Sequence, residues 1–91
     1  ALSIDDFQLL PNYPNPFNAS TTIKYNVLNQ SKIDIKVFDS LGRLVTTLVN
    51  EVKPFGIHNV QFNAKDLASG LYFVRLKAGK KIRQRKIVFL K

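Results

Sequence analysis

The side chains that carry most protein chemistry are scarce in this chain, and those present are scattered. His58 is the one histidine and cysteine is absent, so a thiolate nucleophile, a Cys–His pair and a cysteine-based metal site are excluded. A nucleophile needs a base beside it, and the lone imidazole shares its parity with Val60 and Phe62, a packed or edge position. Of the 6 acids only Asp5 and Asp6 are adjacent, and neighbours near a chain end are solvated more often than paired for acid–base work. No glycine-rich phosphate loop and no metal-spaced cluster occurs. The residues therefore point to no catalytic, metal or cofactor site.

Charge is the more informative feature. The chain carries 14 Lys+Arg against 6 Asp+Glu, a formal net charge of +8. The excess gathers after the last acid, Asp66, in Arg75, Lys77, Lys80, Lys81, Arg83, Arg85, Lys86 and Lys91. A basic end reads as attraction to nucleic acid, as attraction to an anionic membrane surface or polysaccharide, or as a solvated face. With a single interleaved aromatic, Phe73, and no module signature, nucleic acid is not an expected partner. Sugar binding leans on exposed aromatics, and the chain has no Trp. Of Tyr13, Tyr25 and Tyr72, the latter two fall on apolar parity and belong to a core.

The elements that hold these side chains are strands. A chain of 91 residues with 45% hydrophobic and 22% charged residues supports one compact core. No run reaches the length of a membrane-spanning helix, and ALSIDDFQLL lacks the basic and apolar regions of a signal peptide. Ile23, Tyr25 and Val27 alternate with Lys24 and Asn26; Ile33, Ile35 and Val37 alternate with Lys32, Asp34 and Lys36. Asp39 to Gly42 has the composition of a type I turn, after which a strand returns from Arg43 to Val49. A loop through Pro54 and Gly56 leads to a strand around His58, Val60 and Phe62. The last pair runs from Leu71 to Lys77 and from Lys81 to Leu90. A three-residue Ala78-Gly79-Lys80 loop would set Leu76 opposite Ile82, Lys77 opposite Lys81 and Arg75 opposite Arg83, with the basic side chains on one outward face. These short strands, with turns between them, predict an all-β fold, an immunoglobulin-like antiparallel β-sandwich of about seven strands.

Two segments go beyond generic pattern. Tyr13-Pro14-Asn15-Pro16-Phe17-Asn18-Ala19-Ser20-Thr21-Thr22-Ile23 opens the domain. Ser69-Gly70-Leu71-Tyr72-Phe73-Val74-Arg75-Leu76, followed by Lys86-Ile87-Val88-Phe89-Leu90-Lys91, closes it. Together with Val37-Phe38-Asp39-Ser40-Leu41-Gly42-Arg43 and Gly56 to Phe62, they resemble the C-terminal sorting domain of the bacterial type IX (Por) secretion system of Bacteroidota. Ala19 departs from the pattern, where many members carry Pro. The resemblance divides the chain into residues 1–9, a linker or the end of a preceding region, and residues 10–91, the sorting domain. Its structural motif residues are Pro14, Asn15, Pro16, Phe17, Leu41, Gly42, Gly70 and Tyr72. Pro14 and Pro16 suggest a rigid extended lead-in that lets Phe17 cap the core.

The resemblance implies a terminal signal that is not an enzyme. It directs a fused cargo upstream of it through the outer membrane to the cell surface, in contact with the secretion machinery. A sortase-like peptidase and anionic lipopolysaccharide are the further partners it implies. The residues expected to carry recognition are the terminal strand, Lys86, Ile87, Val88, Phe89, Leu90 and Lys91, with the basic face of Arg75, Lys77, Lys81, Arg83 and Arg85; an edge strand can be read by β-augmentation while charge steers encounter. The alternative is a structural or adhesive immunoglobulin-like accessory module that binds cell envelope or polysaccharide on behalf of an exported enzyme.

Overall fold

The computed structural model describes residues 7–91 and contains seven strands and no helix. They are β1 (Phe7–Leu9), β2 (Ser20–Val27), β3 (Ser31–Asp39), β4 (Leu44–Lys53), β5 (Gly56–Asn63), β6 (Gly70–Ala78) and β7 (Lys81–Phe89). A three-stranded sheet in the order β1-β2-β5 faces a four-stranded sheet in the order β4-β3-β6-β7, and every pairing between these strands is antiparallel. This is the expected immunoglobulin-like sandwich.

The period-two pattern fixes which side chains meet between the sheets. Ile23, Tyr25 and Val27 of β2, Ile33, Ile35 and Val37 of β3, and Tyr72, Val74, Leu76 and Ala78 of β6 are all buried. Phe62 from β5, with Ile87 and Phe89 from β7, completes one continuous core. Tyr72 also donates its hydroxyl to the Ala68 carbonyl at 2.7 Å, a link from the start of β6 back to the preceding turn of the kind seen in immunoglobulin-like sandwiches.

Two boundaries differ from the sequence reading. Residues 7–9, read as part of a linker, form β1: Phe7 pairs with Val27, Gln8 with Asn26 and Leu9 with Tyr25. Three residues are too few to display alternation, which hid the strand; the rest of that expected linker, residues 1–6, lies outside the described residues. The return strand expected to end at Val49 continues to Lys53, opposite Ser31. Register shifts between Ile35 and Lys36 and between Val37 and Phe38 break its alternation, leaving Val49 as its buried hydrophobic residue.

Between β3 and β4 the chain turns as its composition predicts. Gly42, at φ 83°, donates to the Asp39 carbonyl at 3.0 Å. The Asp39 carboxylate accepts from the Leu41 and Arg43 backbone N–H groups, each at 2.9 Å.

Candidate functional site

The lead-in and the terminal strand, far apart in sequence, meet along one edge of the sandwich. Residues 14–16 bend the chain, so the segment is folded over rather than drawn out straight; both the Tyr13-Pro14 and Asn15-Pro16 peptides are cis. Phe17 enters the core, 1% exposed, stacked on Phe89 at 5.1 Å and edge-on to Phe62 at 6.0 Å. Its backbone N–H donates to the Val88 carbonyl and its carbonyl accepts from the Leu90 N–H, both at 2.9 Å. The Asn15 side-chain oxygen takes the Val88 N–H at 3.1 Å. The motif therefore fills the core and zips the last turn of backbone in place.

The β6–β7 hairpin closes with a two-residue turn, Gly79-Lys80, because Ala78 pairs with Lys81. Gly79 supplies the positive φ, 62°, that such a tight turn requires at its first position. The expected three-residue loop is thus one residue too long, and the pairing shifts: Leu76 faces Arg83, Lys77 faces Ile82 and Arg75 faces Gln84. A one-residue slip exchanges the faces of a strand. The single basic stripe is accordingly divided. Arg75, Lys77 and Lys86 lie on the outer face of the four-stranded sheet, whereas Lys81, Arg83 and Arg85 take inward parity along the β7 edge.

Each group has its own surroundings. On the outer face the Arg75 guanidinium sits 4.5 Å from the centre of the Phe38 ring, a cation–π contact, and Lys36 pairs with Asp34. On the edge, Arg85 Nε donates to the Leu9 carbonyl at 2.9 Å, tying β7 of one sheet to β1 of the other. Val88 spends its outward N–H and C=O on the lead-in. By ladder alternation, Gln84 and Lys86 aim their backbone groups the same way, and among the described strands none pairs with them. Ile87 and Phe89 are core residues at 0% and 1% exposure; Leu90 and Lys91 are exposed, with Lys91 N–H donating to Ser69 Oγ at 2.9 Å.

Of the structural motif, Phe17 and Tyr72 are buried, Gly70 opens β6, and Leu41 stands 76% exposed at the tip of the β3–β4 turn. His58 is half-buried, stacked on Tyr25 at 5.4 Å, with Nε2 2.9 Å from the Pro54 carbonyl oxygen. Among the described residues no group of three or more His, Cys, Asp or Glu gathers to hold a metal. Ionisation is perturbed away from the basic face. The Arg43 backbone N–H, above all, holds the Asp39 carboxyl below its ordinary value. Burial raises the Tyr25 hydroxyl, and the Glu51–Lys53 hydrogen bond lowers the acid and raises the amine. The sequence reading missed the Arg85 tie and the contact between the two terminal motifs. No local spacing announces either, since both join positions more than 70 residues apart.

The sequence matches the family described as "Secretion system C-terminal sorting domain" over residues 12–90. The chain belongs to this family. It is a C-terminal sorting signal for type IX secretion, and directs what carries it to the cell surface or the exterior across the outer membrane. A sorting domain is not catalytic in itself and works through contact with the secretion machinery. Among curated proteins none matches. A solved structure similar to the sorting domain is that of PorZ, an essential bacterial surface component of the type-IX secretion system of Porphyromonas gingivalis. The likeness has 23% identity and a TM-score of 0.65, spanning 91% of this chain and 11% of that one. At that identity it supports the fold.

Proposed function

We infer that the secretion machinery reads this domain on the outer face of the four-stranded sheet and the adjoining stretch of the β7 edge. The observation that carries this reading is the hairpin register. It sets Arg75, Lys77 and Lys86 on one face beside an edge strand whose outward backbone, at Gln84 and Lys86, is paired by none of the described strands. Edge backbone supplies hydrogen bonds to an added strand, and the cations raise the encounter rate with an acidic partner. Lys91 extends the same charge to the end of the strand. Ile87 and Phe89 contribute by holding β7 in position, and Lys81, Arg83 and Arg85 by lining its inward flank. The upstream cargo, without which a sorting signal has no task, is delivered to the surface, where a sortase-like peptidase removes the domain and anionic lipopolysaccharide receives the cargo. The domain itself performs no chemistry.

Deleting Lys86 to Lys91 would be a poor test, because it removes core side chains along with exposed ones. Charge reversal at Lys77, Lys86 and Lys91 leaves the core intact. In a reporter carrying an N-terminal export signal and this domain at its C-terminus, the triple Lys→Glu variant is expected to accumulate in the periplasm of a host with the type IX apparatus. Circular dichroism of the isolated variant checks the fold. Wild-type secretion by a folded triple variant would reject the face, and secretion of the parent fusion in a host lacking the apparatus would reject the sorting role in this setting.

A further inference from the structure

The opposite outer face, on the three-stranded sheet, differs in chemistry from the basic one. Its outward side chains include Gln8, Thr22, Lys24, Asn26, Asn59 and Gln61, so the sheet presents carboxamides and a hydroxyl with one charged group, Lys24, beside the exposed Ile57. Thr22 stands directly beside Gln61, and Lys24 beside Asn59. Such cross-strand neighbours have Cβ atoms about 5 Å apart, and the two rows lie about 7 Å apart along the strands. At the end of the first row is Tyr13, bridged antiparallel to Thr22 and therefore on the same face. Tyr13, Thr22, Lys24, Asn59 and Gln61, together with the apolar side chains of Leu10, Pro11 and Val60, line an open groove of about 710 Å³. The volume is that of a small-ligand site.

Tyr13 is 81% exposed, yet the backbone around it is fixed. Its N–H donates to the Thr22 carbonyl at 3.0 Å and its carbonyl accepts from the Thr22 N–H at 2.9 Å. Behind it, Asn12 Nδ2 donates to Thr21 Oγ1 at 2.9 Å and to the Pro14 carbonyl at 3.1 Å, while Thr21 Oγ1 donates to the same carbonyl at 2.8 Å. Asn12 and Thr21 are the buried polar residues among those described, and both are used to hold this one segment. An aromatic ring carried on a fixed backbone loses little freedom when a partner lands on it.

We propose that this groove binds a neutral glycan, with one sugar ring stacked on Tyr13 and its neighbour hydrogen-bonded by the Thr22–Gln61 and Lys24–Asn59 pairs. The apolar C–H face of a pyranose suits the negative face of an aromatic ring. Carboxamides donate and accept from one plane, which matches adjacent hydroxyls that also do both. The near-absence of charge argues against a polyanion here, just as its abundance argues for an acidic partner on the other face.

The test is titration of the isotopically labelled 91-residue chain with cellohexaose, mannohexaose, xylohexaose and chitohexaose, followed by amide NMR. At least one is expected to shift Tyr13, Thr22, Lys24, Asn59 and Gln61 with an affinity insensitive to added salt. Tyr13→Ala should weaken binding about tenfold, the scale of losing one aromatic anchor, while Tyr13→Phe retains it. Asn59→Ala and Gln61→Ala, both exposed, provide an independent arm should the Tyr13 variant not fold. The proposal is overturned if no sugar in the panel shifts the groove, if the shifts map to the basic face, or if these variants bind as wild type. It is equally overturned if Tyr13→Ala abolishes export while the wild-type chain binds no sugar, a result that assigns Tyr13 to a protein partner.

Discussion

At the scale of single residues, the lead-in motif concentrates its energetic weight in Phe17. The ring is enclosed and touches Phe62 and Phe89, so Phe17→Ala should cost about 3–5 kcal/mol, read as a fall in the urea midpoint. A shift under about 1 kcal/mol would mean that the ring is not a core element. Two residues on, Ala19 holds φ at 78°, a region that penalises any Cβ. Ala19→Gly should therefore gain up to about 1 kcal/mol despite the greater freedom glycine gives the unfolded chain; a clear loss would show that the methyl is used. Asp39 supplies a pH signature. Its folded carboxyl is depressed below 3.8, so the folded state takes up the proton less readily than the unfolded one. Its contribution is present above that value and lost as pH falls through the depressed folded pKa. The stability gap between wild type and Asp39→Asn should hence be constant near neutrality and shrink only in that acidic window; shrinkage at neutral pH would assign the gap to something else.

Strands set which of these residues share a face, and here a single turn residue decides the arrangement. Tying β7 to β1 through Arg85 and the Leu9 carbonyl implies that Arg85→Ala loosens β1 selectively. Its amides should exchange roughly fivefold faster, corresponding to about 1 kcal/mol for a charge-assisted bond at an exposed side chain, with β3 and β6 unchanged. Uniform acceleration would mean that Arg85 supports the whole fold. The alternation in β2, β3 and β6 was legible in the sequence because buried parity there is unbroken, and so was the Asp39–Gly42 turn, because its side-chain and glycine requirements are local. The face of β7 was not legible. Gly79 suits both two- and three-residue turns, and choosing the longer one turned Lys81, Arg83 and Arg85 outward. β4 resisted for a related reason: its bulged register is set by β3, which no pattern within β4 reports. The groove escaped too, since Tyr13, Thr22 and Gln61 become neighbours only through pairing.

Across the whole molecule, the fold is closed where the lead-in motif meets the last strand. Asn15 and Phe17 bond to Val88 and Leu90, Phe17 stacks on Phe89, and Ile87 plugs the same core. A signal built in this way is displayed only once the domain has folded, so the proposed reading at β7 is coupled to the integrity of the strands before it. Removing Leu90 and Lys91 takes away the Leu90 bond to Phe17, the exposed Lys91 bonds to Ser69 and Leu67, and no core side chain, and should leave a cooperative thermal transition. Removing residues 87–91 also takes Ile87 and Phe89, each worth about 2–5 kcal/mol in a core. Their sum is comparable to the whole stability of a domain, about 5–15 kcal/mol. The longer truncation should thus lose its cooperative melt by circular dichroism and its export together, although 86 residues remain of the 91. A truncated chain that still melts sharply would show that the lead-in and the first six strands fold without the terminal one, and that β7 is an appended tag rather than the closing strand.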